Sequence, residues 1–291
     1  GAVYVYKRTG TSWAQEAYIK AANNDTDDDF GVGVALSGDT LAVGARFEDS
    51  NQTTITTGTT ASSNNSSTDS GAVYVYKRTG TSWAQEAYIK AVNNDASDTF
   101  GWSVALSGNT LAVGAPAESS NQTTITNGST ASNDNSSSKS GAVYVYKRTG
   151  TSWAQDAYVK AANNDADDYF SWGLALDNGT LAVSAHGEDS NQTTITNGST
   201  ASSNNSSSSS GAVYVYKRTG TSWAQEAYIK AANANSSDRF GARVALSGDT
   251  LAVSAYNEDS NQTTITNGTT ASSNNSKSNS GALYVYQRTG N

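Results

Sequence analysis

An all-β, bladed chain is predicted by three observations. A 70-residue unit opening GAVYVYKRTGTSWAQ begins at Gly1, Gly71, Gly141 and Gly211, and a fifth start, GALYVYQRTGN, stands at Gly281. Each unit holds short stretches rich in β-branched and aromatic residues that alternate in polarity. Turn residues, chiefly Gly and Asn, separate those stretches. A fixed period of this length means that each copy is one supersecondary unit burying its apolar face against the next. The 291 residues therefore read as a single repeat domain: repeats 1–70, 71–140, 141–210 and 211–280, and a partial fifth repeat 281–291 serving as a closing or chain-joining strand.

The elements follow in order. Phe100 to Leu106 (FGWSVAL) is a first strand, and Ser107-Gly108-Asn109 suits a tight hairpin that needs positive φ. Thr110 to Ala115 (TLAVGA) is the second strand, Ala142 to Lys147 (AVYVYK) the third and Trp153 to Ala161 the fourth. Alternation is plainest in the third strand, where Val73, Val75 and Lys77 face one way and Ala72, Tyr74 and Tyr76 the other. Four antiparallel strands with three connections make one propeller blade. The predicted fold is thus a β-propeller of four ~70-residue, four-stranded antiparallel blades, with long polar inserts on one face. Trp13, Trp83, Trp153 and Trp223 recur at one place in every copy, as blade packing requires.

FGWSVALSG, followed by LAVGAP and then GAVYVYKR, resembles the FG-GAP repeat of integrin α-subunit propellers and of many bacterial surface proteins. The resemblance implies a β-propeller, an extracellular or cell-surface location, and adhesion or ligand binding without catalysis. Two departures stand out. Only the second copy keeps the full GAP, at Gly114-Ala115-Pro116; the others read GAR at Gly44, SAH at Ser184 and SAY at Ser254. Calcium-binding members carry an Asp-x-Asp-x-Asp-Gly type loop between the first two strands, whereas Ser37-Gly38-Asp39-Thr40 is too short to wrap a cation that takes six to eight oxygens.

Composition narrows the function further. The net charge is −8, from 18 basic and 26 acidic residues, and the recurring Lys7 and Arg8 form no stripe, which argues against nucleic acid. No apolar run is long enough to cross a bilayer, so membrane insertion is not expected. The chain has no Cys and no Met; without even an initiator Met it reads as a processed product or a window from a longer array. His186 is the sole histidine, which excludes a Ser-His-Asp triad or a His metal site in every copy. Glu48 and Asp49 read as part of a recurring surface EDS motif. No catalytic constellation emerges, and a non-enzymatic chain is expected.

Differences among copies gather on one face. The positions after Phe30, Phe100, Phe170 and Phe240 read GVG, GWS, SWG and GAR, and the second strand ends in Arg46-Phe47, Pro116-Ala117, His186-Gly187 and Tyr256-Asn257. At the mouth of a channel, Trp102, Trp172, Arg243, His186, Tyr256, Arg46 and Phe47 would form an aromatic and basic ligand site suited to sugars or peptides. The plain alternative is drift where packing constrains least. Asp25, Asp27, Asp28 and Asp29 can offer carboxylates to calcium, the one cofactor the sequence brings into question; the series thins to Asp238 alone in the fourth copy, as in a solvated turn. The insert, typified by NQTTITNGSTASSNNSSSSS, reads as an exposed polar fringe with a short hairpin at Gln122 to Thr126 and Asn127-Gly128. Its sequons include Asn51, Asn121, Asn127, Asn191, Asn197, Asn261 and Asn267, glycosylation candidates in a secreted eukaryotic protein.

The expected function is therefore that of an adhesive or structural surface protein that associates with itself, head to tail or to complete a ring. The alternative is a lectin-like module, with or without an assisting cation, that binds an extracellular glycan or protein on its variable face.

Overall fold

The computed structural model describes residues 1–290 and is all-β, with no helix among them. Twenty strands, β1 (Val3–Thr9) to β20 (Ala282–Gln287), form five antiparallel sheets. The first holds β1 and β2 (Ser12–Ile19) alone. The second runs in the order β3 (Val34–Ser37), β4 (Thr40–Ala45), β6 (Ala72–Thr79), β7 (Ser82–Ile89) and β5 (Thr56–Thr57). The third repeats it with β8 (Ser103–Ser107), β9 (Thr110–Ala115), β11 (Ala142–Thr149), β12 (Ser152–Val159) and β10 (Thr126–Asn127). The fourth has β13 (Phe170–Asp177), β14 (Thr180–Ala185), β16 (Ala212–Thr219), β17 (Ser222–Ile229) and β15 (Thr196–Asn197). The last is β18 (Phe240–Ser247), β19 (Thr250–Ala255) and β20. Instead of four whole four-stranded blades, there are three complete sheets flanked by a two-stranded and a three-stranded one, because the 70-residue register opens on the third strand.

The expected insert hairpin is replaced by a fifth strand. Thr126 and Asn127 pair with Tyr158 and Ala157 of β12, and Gly128 N–H donates to the Asp156 carbonyl at 2.8 Å. Gln122 holds the approach in shape, donating to the Thr124 carbonyl (2.8 Å) and to Thr126 Oγ1 (2.9 Å). The insert thus lies along the outer edge of its own sheet, covering backbone groups that an edge strand would leave unpaired. Its dependence on the partner strand is visible in the fourth copy: among the described residues nothing pairs with Thr266 and Asn267, and they form no strand.

The alternation in the third strand sets how sheets stack. Val73, Val75, Ala87 and Ile89 of one sheet pack against Leu111, Val113, Tyr144 and Tyr158 of the next in a single core cluster. Val143, Val145 and Val159 meet Leu181, Val183, Tyr214 and Tyr228 in the same way, and the clusters at either end repeat the scheme. Each sheet therefore has a valine face that fits the tyrosine face of its successor. The recurring Trp supplies a polar tie across each junction: Trp153 Nε1 donates to Glu86 (3.0 Å) and Trp223 Nε1 to Asp156 (3.0 Å), carboxylates that Arg148 and Arg218 also grip.

One glycine per junction is demanded by geometry. Gly141 has φ +84°, and a Cβ there would fall on the Phe170 carbonyl of the next sheet; Gly71 and Gly211 stand in the same relation to Phe100 and Phe240. Gly141→Ala is expected to cost roughly 1–3 kcal/mol, read as a lowered urea midpoint. An equal midpoint would mean that the junction has room the geometry does not show.

Candidate functional site

The innermost strands of successive sheets lie side by side and enclose a groove of roughly 280 Å³. Each repeat contributes the same short stretch to it: 32–34, 102–104, 172–174 and 243–244. Valine and leucine make its floor, and the side chains that differ between copies, Trp102, Trp172 and Arg243, stand along it. Sequence positions that vary among the copies are thus brought together in space.

Around the groove the aromatic groups form a continuous row. The Trp102 and Trp172 rings are 4.3 Å apart and inclined at 41°, and His186 stacks on Trp172 at 4.3 Å and 20°. At the other end the Arg46 guanidinium lies 4.4 Å from the Trp102 ring centre and 4.3 Å from that of Phe47, while Asp29 holds it through an ion pair of 2.7 Å. Tyr256 stands apart, 48 % exposed, its hydroxyl accepting a hydrogen bond from Arg239 at 2.8 Å. Burial, aided by the nearby Arg239 and Arg243, lowers the pKa of His186 to about 4, so the ring is neutral at physiological pH. Its Nδ1 is buried without a hydrogen-bond partner among the described residues.

Two members of this cluster lie outside the four three-residue stretches singled out in the sequence. Tyr169 meets Trp172 (6.0 Å) and His186 (5.4 Å) edge-on, and Arg239 neighbours Tyr256. Both occupy the position just before the recurring Phe, which reads Asp29, Thr99, Tyr169 and Arg239 and has positive φ in every copy. Variation at that position was the available signal.

The acidic motifs resolve differently. The EDS glutamates are not surface groups: Glu48, Glu188 and Glu258 are 1–2 % exposed, as is Glu118, whose copy reads ESS. Glu118 accepts from Lys160 Nζ (2.8 Å), Tyr158 OH (2.7 Å) and Ser120 N–H (3.2 Å). Lys160 Nζ also donates to Ser140 Oγ at 2.8 Å. Asn93 links the preceding connection to this centre by donating to Glu118 (3.4 Å) while its Oδ1 accepts from Tyr144 OH (2.6 Å). Glu48 with Lys90 and Glu188 with Lys230 repeat the arrangement. The expectation of a surface motif fails because of distance along the chain: partners 42 residues apart leave no local pattern.

Within the first acidic loop, Asp28 is buried and accepts from Asp25 N–H at 2.9 Å. Asp25 accepts from Asn65 (2.8 Å) and Asp29 is taken by Arg46 (2.8 Å), whereas Asp27 is exposed. Among the described residues no group of three or more His, Cys, Asp or Glu side chains could hold a metal ion. Asp28, Asp98, Asp168 and Asp238 are the buried members of the four loops, which explains why this position persists in the fourth copy. The sequon residues Asn51, Asn121, Asn127, Asn191, Asn197, Asn261 and Asn267 are all exposed; Asn127 also accepts from Trp223 N–H of the next sheet at 2.8 Å.

Repeated antiparallel sheets stacked face to face, with a groove along their inner strands, define a propeller-type repeat protein. The FG-GAP repeat model matches residues 13–76, 83–146 and 223–286, together more than half of the chain, and the chain belongs to the FG-GAP repeat family. The resemblance carried by FGWSVALSG, LAVGAP and GAVYVYKR is thereby confirmed. Trp172 and His186 fall in the one repeat outside these matches. No curated protein matches the sequence. FG-GAP repeats occur in extracellular and surface proteins generally, and no helix among the described residues is long and apolar enough to cross a membrane.

Proposed function

We propose that the chain is a non-enzymatic, extracellular adhesive or structural propeller protein that associates through its end sheets. One observation carries this reading. The first sheet presents an uncovered tyrosine face, with Tyr4, Tyr6 and Tyr18 55–56 % exposed, and the last an uncovered aliphatic face, with Leu283 68 % and Val285 65 % exposed. The equivalent Tyr74 and Val73 inside the array are fully buried. The two open faces are the halves of the junction that every interior pair of sheets makes, so a second copy of the chain is their natural partner. Burying an aliphatic side chain of this size contributes about 1.5–3 kcal/mol.

Light scattering on the 291-residue chain tests it. A molar mass rising with concentration above 30.2 kDa is expected, and the double variant Leu283→Lys, Val285→Lys should return it to the single-chain value. A wild-type chain that stays at 30.2 kDa at every concentration would overturn the proposal.

The groove favours a second reading, a lectin-like binding module that takes an extracellular glycan or peptide. Its support is the Trp102–Trp172 pair, both side chains half-buried in the groove lining, since aromatic surface presented to a groove suits the apolar C–H surfaces of sugars. Calcium enters neither reading, because three of the four carboxylates of the first loop, Asp25, Asp28 and Asp29, are engaged within the protein.

A further inference from the structure

The charges at one end of the groove deepen the lectin-like reading. Resting on that reading, we infer that the groove selects a carboxylate-bearing saccharide, a hexuronate within an oligosaccharide, over its neutral counterpart. The chain is acidic overall, with 26 acidic and 18 basic residues, and most of its arginines are committed. Arg46, Arg78, Arg148, Arg218 and Arg288 each meet a carboxylate.

Arg243 and Arg239 depart from that pattern. Arg243 lines the groove and donates only to the carbonyl of its own neighbour Ala242, at 2.7 Å. Arg239 donates to the Tyr256 hydroxyl, and neither arginine pairs with a carboxylate among the described residues. An exposed guanidinium with its fork open recognises a carboxylate through paired hydrogen bonds. Because these cations lie close enough to influence His186, and His186 stacks on Trp172, the positive end and the aromatic platform belong to one site. A pyranose ring seated in the groove against the exposed parts of Trp102 and Trp172 would then direct an equatorial carboxylate along it towards Arg243. The unpartnered His186 Nδ1 is a further polar atom in the same cluster, of the kind that calls for a partner. A groove of roughly 280 Å³, just below the ~300–1,000 Å³ range of small-molecule sites, suits a short stretch of chain passing through.

The test uses two probes that differ only at C6: a β-1,4-linked glucuronate hexamer and cellohexaose, each titrated into the whole chain with tryptophan fluorescence as the readout. The glucuronate oligomer is expected to bind about tenfold tighter, with an affinity that falls as salt is raised. Arg243→Gln, at an exposed position, should bring the two affinities within about twofold of each other. Trp172→Ala should weaken both. Equal binding of the two probes by the wild-type chain would overturn the acidic selectivity and leave the lectin-like reading standing. Binding of a glutamate hexamer as tightly as the glucuronate would overturn the saccharide in favour of charge alone. Failure of both sugars to bind would sink the selectivity and the lectin-like reading together.

Discussion

Lys160→Met is expected to destabilise the chain by about 3–5 kcal/mol, because it strips the paired cation from a carboxylate sealed inside the protein. Lys160 and Glu118 have side-chain exposures of 0 % and 1 %, so water cannot replace the ammonium. The remaining donors to Glu118, from Tyr158, Ser120 and Asn93, satisfy lone pairs without supplying a charge. Glu118→Gln with Lys160→Met should recover much of the loss, since removing both charges removes the desolvation cost with them. The position within the array shapes the readout. Glu118 receives Asn93 from the connection that enters its sheet, so the damage falls on coupling between neighbours, and in a one-dimensional array weakened coupling splits a cooperative transition in two. Urea denaturation followed by both circular dichroism and fluorescence would show this. A single unshifted transition would mean that the pair is neutral to stability. By comparison, Arg148 and Glu86 sit at 16 % and 9 % side-chain exposure, and breaking them should cost less.

The second large effect is a loss of stability as pH rises towards 8. Burial, with Glu118 or Glu188 as like-charged neighbour, pushes Asp98 and Asp168 up to about 8, and burial pushes Asp238 up to about 6. A carboxyl whose folded value lies above its free value of 3.8 holds a proton in the native state that the unfolded chain gives up. Its contribution is therefore fully present below the free value and is lost as pH climbs through the folded one. The buried lysines run the other way: desolvation lowers Lys160 and Lys230, and the stability tied to them grows towards alkaline pH. Between pH 5 and 8 the carboxyls dominate. Asp98→Asn with Asp168→Asn is expected to flatten the slope, because an amide carbonyl can still accept the loop N–H that each Asp now receives. Guanidinium midpoints at pH 5, 6.5 and 8 for both proteins would measure the difference; parallel curves would remove these two residues from the account.

Much of the architecture was legible because it is local or periodic. Alternating Val73 and Tyr74 assigns each strand two faces, and the 70-residue repeat says that those faces meet each other. The features that escaped depend on contacts that neither property encodes. Glu118 finds Lys160 across 42 residues, so a Glu-x-Ser motif flanked by polar loops looked solvated. Thr126 and Asn127 look like a hairpin in isolation and become an outer strand only when β12 lies beside them. The groove was half visible: scanning after Phe170 and Phe240 found Trp172 and Arg243, but Tyr169 and Arg239 lie one residue before and owe their direction to a positive φ that no propensity scale signals.

The junctions carry one more implication. Every one of them is made by equivalent side chains at the same spacing, with Asp156 standing where the other copies have Glu and Val159 where they have Ile, from Gly71 against Phe100 to Gly211 against Phe240, and each glutamate centre draws only on one sheet and the connection entering it. Gain or loss of a whole 70-residue copy, as unequal recombination between near-identical stretches produces, would leave every surviving contact in register. Reach is consequently a trait that a lineage can alter in one genetic event with no compensating substitution. The groove is the exception, since its Trp, Arg and His are drawn from different copies, and deleting any single one would erase the combination.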